Sequence, residues 1–170
     1  MEQVAWLPQH PTIDRGLTSL EYCAFQAWLT GVSHRRALSD GREALDLVGL
    51  GEHADHRTHT LSGGLRARLA IAGTLVAGSR YLVLDEPLAA LDPAQRRMLV
   101  ELLAGLASGR VIVVSTHDVL DLRAGFDSVV VLREGRCIFQ GGLDEFLRDG
   151  DGREVSATDA YVRILGVNEE

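Results

Sequence analysis

One linear order constrains this chain more than any other feature. A helix start at Leu61-Ser62-Gly63-Gly64 is followed by a short apolar run, Tyr81 to Leu84, that ends in Asp85-Glu86. A second helix start, Asp92-Pro93, comes directly after it. Ser62 is a good N-cap, and two glycines bring bare backbone N–H groups to the surface. Such a start holds a phosphate oxygen without a cationic side chain. Behind it Leu65, Leu69, Ala72 and Val76 keep helical spacing, which predicts one buried face. Four apolar residues before a carboxylate pair read as a buried strand. Asp85 and Glu86 then stand where a parallel sheet gathers its ligands, outside the carboxyl ends of the strands. Taken singly, a Ser-Gly-Gly stretch is most often only a turn, and an acidic strand end only a solvated one. In this order they join a phosphate-grade helix start to a magnesium-grade carboxylate pair.

The rest of the chain supports an α/β reading. Val4 to Leu7 is a short apolar strand closed by Pro8, with Gln9 at its exit. Leu17 to Gly31 reads as a helix with Leu20, Cys23, Ala24, Ala27 and Trp28 near one face. Arg35 to Val48 reads as another, ended by Gly49 and Gly51. Asp92 as N-cap and Pro93 at the first position open a helix whose buried face is Met98, Leu99, Leu102, Leu103 and Leu106. Val111 to Val114 is a second buried strand, apolar on both faces, ending at Ser115-Thr116-His117. Ser128–Leu132 and Arg136–Gln140 flank Glu134-Gly135 as a hairpin. Gly142–Arg148 and Ser156–Leu165 read as terminal helices. His53, His56 and His59 recur every third residue, but without a predicted helix or a fourth ligand they read as a polar loop rather than a metal site.

At 170 residues one domain is expected, and a hydrophobic fraction of 46% suits a globular core. A net charge of −7 argues against a nucleic-acid or anionic-membrane surface. No apolar stretch approaches the length of a membrane span. Cys23 and Cys137 carry no metal or disulfide spacing and read as free thiols in a reducing compartment.

Five motifs in this order resemble the ATP-binding-cassette (ABC) family of ATPases. Leu61–Gly64 is similar to the start of the family signature, Tyr81–Glu86 to the Walker B strand, and Ala90-Leu91-Asp92 to the D-loop. His117, in Ser115-Thr116-His117-Asp118, is similar to the switch histidine, and Gln9 to the Q-loop glutamine. The resemblance implies a P-loop NTPase (RecA-like) parallel sheet, with an inserted helical subdomain at about residues 14–77. It also implies ATP and Mg²⁺ as cofactors. Asp85 would hold the metal, Glu86 would be the general base, and Gln9 would contact metal and water. His117 would touch the γ-phosphate. Ser62, Gly63 and Gly64 would close over ATP bound to a second ABC ATPase domain in a head-to-tail dimer, with Asp92 reporting across it. A membrane permease subunit is the other implied partner. That places the chain on the cytoplasmic face of the membrane, with no nucleic acid involved. The Leu17–Glu21 and Asp159–Gly166 stretches are similar to exporter-type ATPases.

Two features depart from the family pattern. All 17 basic residues are arginine, so the Gly-x-x-x-x-Gly-Lys-Ser/Thr phosphate loop is not in these 170 residues. With Gln9 so near the start, the sequence is expected to be the C-terminal two-thirds of a cassette. Leu65 stands where glutamine usually continues the signature, and Gly73 where arginine is common. Besides an ATP-hydrolysing transporter subunit, the sequence leaves two alternatives open. One is a non-enzymatic cassette that only donates its signature to a partner. The other is a soluble ABC protein acting on ribosomes or DNA, which the acidic charge opposes.

Overall fold

The structure is a computed structural model that describes residues 4–89, 91–119 and 125–166. It divides into two compact units, Met1–Thr116 and His117–Glu170.

The first unit is built on a parallel sheet of β1 (Val4–Leu7), β2 (Tyr81–Asp85) and β3 (Val111–Ser115), in the order β1-β2-β3. The register aligns Trp6 with Val83 and Val113, and Leu7 with Leu84 and Val114. Alternation then sends the two rows to opposite faces. Ala5, Leu7, Leu82 and Leu84 are buried on one face. On the other, Val4, Trp6, Val83, Val111 and Val113 are all exposed. The apolar residues of β3 suit an interior strand, but with the phosphate-loop strand not among these residues the expectation is pairing on one side only and uncovered apolar sheet surface. Among the described strands it pairs with β2 alone, and two of its valines face solvent. The one-sided pairing and the exposed valines agree with that expectation.

Three helices lie between β1 and β2: α1 (Ser19–Leu29), α2 (His34–Leu47) and α3 (Gly63–Leu75). α1 begins with a full capping box, in which Thr18 Oγ1 accepts from the Glu21 N–H and the Glu21 carboxylate accepts from the Thr18 N–H. Its buried residues are Ser19, Tyr22, Cys23, Ala24 and Ala27. Trp28, expected on that face, is exposed and stacks with Phe25 instead. The buried face is turned toward Tyr22 because Gly73 of α3 leaves room for its ring. A Cβ added at Gly73 would lie 2.6 Å from Tyr22 Cε1. α1 and α2 approach closely at Gly41, where a Cβ would come within 2.9 Å of the Ala24 backbone nitrogen.

The stretch before α1 is tied to the loop before α3. Ser19 N–H donates to His56 O at 3.0 Å, and Thr58 N–H to Leu17 O at 3.0 Å. The buried Thr58 hydroxyl donates to Asp14 O at 2.6 Å. His53 and His59 sit in two single 3₁₀ turns, and the His59 ring bonds Arg15 O. The His56 carbonyl and the His59 ring are thus part of this strapped loop. α4 (Pro93–Leu106) follows β2 and buries Leu99, Val100 and Leu103, while Met98 is exposed.

The second unit pairs β4 (Ser128–Arg133) with β5 (Arg136–Gly142) as an antiparallel hairpin. Glu134 and Gly135 both take positive φ, as a two-residue hairpin turn requires. α5 (Leu143–Phe146) and α6 (Ala157–Leu165) pack Phe146, Leu147, Ala157 and Ala160 against Val129 and Val131.

Candidate functional site

The sheet brings Gln9, Asp85 and Glu86 together. β1 and β2 run parallel and in register, so the residues leaving Leu7 and Leu84 emerge at the same end of the sheet. Gln9 Nε2 donates to Glu86 Oε2 at 3.0 Å, across 77 positions of sequence. Asp85 is the last residue of β2 and pairs in register with Ser115, the last residue of β3. Ser115 Oγ donates to Asp85 Oδ1 at 2.6 Å, and the Glu86 N–H donates to Ser115 Oγ at 2.9 Å. Glu86 has φ +46°, a left-handed conformation that costs energy for a residue with a Cβ and clusters at functional sites. The chain thus turns sharply as it leaves the strand.

These groups line a cleft of about 710 Å³. Gln9, Asp85 and Glu86 stand together in the lining, which also includes Gly63, Arg66 and Ala67 of α3. The grouped side chains Gln9, Asp85 and Glu86 offer two carboxylates and an amide, oxygen donors that suit a hard cation like magnesium; His10 and His59 also line the cleft. For phosphate the chain itself offers the α3 start. Ser62 caps it by accepting from the Leu65 N–H, and Ser62 and Gly63 are exposed. Gly64 is buried, and a Cβ there would meet the Gln95 side chain of α4.

Asp92 accepts from the Gln95 N–H at 2.9 Å and caps α4, so it is the N-cap that the sequence indicates. Its D-loop neighbour Ala90 lies outside the described residues. His117 is exposed and opens the second unit. Ser115 is the residue that sequence reasoning passed over. In the sequence it stands only as one residue of the run before His117. Its signal was positional: it ends the strand after β2 with a hydroxyl, at the level where β2 ends in a carboxylate.

Residues 1–89 match the family model for the ABC transporter. The chain belongs to the ABC transporter family. It is 34% identical over 142 residues to the uncharacterized ABC transporter ATP-binding protein YxlF of Bacillus subtilis, covering 84% of this chain and 48% of that protein. It is 42% identical over 124 residues to the phosphonates import ATP-binding protein PhnC 1 of Nostoc, covering 72% of this chain and 46% of the relative. Human phospholipid-transporting ATPase ABCA3 is 36% identical over 130 residues, covering 75% of this chain and 8% of that much longer protein. The chain therefore spans about half the length of the bacterial relatives. A solved metal-chelate-type ABC transporter in an inward-facing conformation shares the fold with TM-score 0.80 at 20% identity, covering 96% of this chain and 63% of the other. The fold is accordingly α/β, of the P-loop NTPase kind. The relatives include an import protein beside phospholipid transporters, so ABC membership does not carry the exporter-type likeness of Leu17–Glu21 with it.

Proposed function

We propose that this chain is part of the ATP-binding subunit of an ABC transporter, which couples ATP binding and hydrolysis to transport by a membrane permease. The observation that carries the reading is the grouping of Gln9, Asp85 and Glu86 in one cleft, fixed by the 3.0 Å bond between Gln9 and Glu86. Phosphoryl transfer to water needs a positioned nucleophile and neutralised charge more than covalent chemistry. Bound magnesium would supply the charge neutralisation. Asp85 would hold it through its carboxylate, directly or through water. Glu86 would take the proton of the attacking water. Gln9 would contact metal and water beside it, its amide already oriented by Glu86. Ser62, Gly63 and Gly64 would offer N–H groups to phosphate in a head-to-tail partner, and Asp92 would report across that contact. His117 would reach the γ-phosphate. Residues 14–77 would form the helical subdomain within one cassette. Assembly with a permease places the subunit on the cytoplasmic side of the membrane.

A second reading is a cassette that only lends its signature to a partner. One observation supports it: Ser62 and Gly63 are exposed at the capped start of α3. The two separate on one experiment. The 170 residues are joined behind a phosphate-loop segment of a cassette relative, and MgATP turnover is measured. Turnover supports the hydrolytic subunit. A fusion that binds MgATP without turning it over supports the donor.

A further inference from the structure

We propose that Ser115 is a positioning residue that locks the Asp85–Glu86 pair through one hydroxyl. The inference rests on reading Asp85 and Glu86 as the metal and water residues. It adds the group that holds them in place.

The hydroxyl has one proton and two lone pairs. Its proton goes to Asp85 Oδ1 at 2.6 Å, the short distance expected for a hydroxyl on an ionised carboxylate. With the proton committed there, a lone pair is left for the Glu86 N–H at 2.9 Å. The two bonds are polarised in one direction, from the backbone of Glu86 through Ser115 to the carboxylate of Asp85. They do different jobs. The first fixes one oxygen of Asp85, so the carboxylate cannot turn freely about its last bond and its second oxygen keeps one aim. The second holds the amide of a residue at φ +46°, a conformation that persists only when its surroundings over-determine it.

The site offers an internal reason why the clamp comes from Ser115. Asp85 and Ser115 are register partners at the ends of adjacent parallel strands. The sheet therefore sets their spacing, and no loop has to order itself first. The β2–β3 pairing fixes the serine as firmly as it fixes the aspartate. Because β2 ends there, the Glu86 N–H is the first amide past the strand, and its acceptor is the hydroxyl of Ser115. A glycine or alanine at 115 would leave the strand pairing intact, since that uses backbone alone. It would release the Asp85 carboxylate and the Glu86 amide.

The test uses the 170-residue polypeptide and amide hydrogen exchange read by NMR. In Ser115→Ala, the Glu86 amide is expected to exchange about 10-fold faster, the loss of one charge-linked hydrogen bond, while the amides of Leu82 and Leu84 keep their protection. Ser115→Thr retains the hydroxyl and is expected to restore protection at Glu86. Asp85→Ala tests the directionality. Asp85 makes no bond to the Glu86 amide, so faster exchange there, by about 3-fold or more, means that the hydroxyl must be anchored to act. Unchanged exchange at Glu86 in Ser115→Ala would overturn the proposal, as would a threonine variant no better than alanine. Equal acceleration at Leu82 and Leu84 would also overturn it, because the serine would then merely hold the strands. A separate arm titrates Mn²⁺ alone and follows paramagnetic broadening at Asp85 and Glu86. Absence of broadening there counts against the metal reading and leaves the clamp to the exchange data.

Discussion

Gln9 and Glu86 lie 77 positions apart, and the amide of the first donates to the carboxylate of the second at 3.0 Å. The bond exists because β1 and β2 end at the same level of one parallel sheet. It joins the residue that leaves the first strand to the residue proposed as the base. Replacing Gln9 with leucine removes this donor from the Glu86 carboxylate. In the fusion carrying a phosphate loop, the expected result is a fall in kcat of about 10–100-fold, with KM for MgATP changed far less. Steady-state kinetics checks it; a change confined to KM would move Gln9 out of the reacting geometry.

A second expectation concerns nucleotide. The 170 residues by themselves contain the carboxylate pair and an exposed helix start, but no lysine. A phosphate loop holds the β- and γ-phosphates through backbone N–H groups and a lysine. The polypeptide alone should therefore bind MgATP only at millimolar levels or weaker. A titration with fluorescent nucleotide reads this, and saturation in the micromolar range would show that other groups cradle the phosphates.

Gly73 gives a packing test. The Tyr22 ring stands where a Cβ at 73 would be, 2.6 Å from Cε1. Tyr22 is buried and cannot swing out to solvent. Gly73→Ala should cost about 1–3 kcal/mol in chemical denaturation, the range for overpacking a filled site. The cost should shrink when Tyr22→Leu is added, a coupling that a double-mutant cycle measures.

The capping box at α1 carries a pH dependence. The hydrogen bond from the Thr18 N–H, before the charge of Arg57, holds the Glu21 carboxyl below its ordinary value of 4.5. A carboxyl lowered in the folded state stabilises above its unfolded pKa, and that contribution is lost as pH falls through the folded value. Thermal melts taken downward from pH 5 should show a loss that Glu21→Gln removes. Parallel losses in both proteins would place the acid sensitivity elsewhere.

The two thiols should separate cleanly. Burial pushes Cys23 up to about 12, and its side chain has no exposed surface. Cys137 is exposed on β5. A thiol reagent at pH 8 should label Cys137 alone, with Cys23 reacting only after denaturation. Two equivalents reacting in the native state would contradict the packing of α1.

How much of this was legible beforehand depends on how local each signal was. Ser62 and Asp92 as N-caps, and Asp85 at a strand end, are written in neighbouring residues, and the structure has them so. The grouping of Gln9 with Glu86 followed from family resemblance, since nothing local at Gln9 points to its partner. The faces of α1 and α4 were partly misassigned. Trp28 and Met98 fit the helical period but lie exposed, because the neighbours decide which arc of an apolar helix is covered. Gly73 decides it for α1 by admitting Tyr22. Ser115 was invisible as a functional residue because its meaning lies in strand register, which sequence does not display.

The most direct test is Glu86→Gln in the fusion that restores a phosphate loop. The substitution keeps shape and removes the proton acceptor. MgATP binding and single-turnover hydrolysis are measured on the same preparation. The expected result is binding within about 2-fold of the unmutated fusion and hydrolysis slowed by at least about 100-fold. Hydrolysis close to that of the unmutated fusion, with binding intact, would contradict Glu86 as the base and with it the assignment of this cleft as the hydrolytic site.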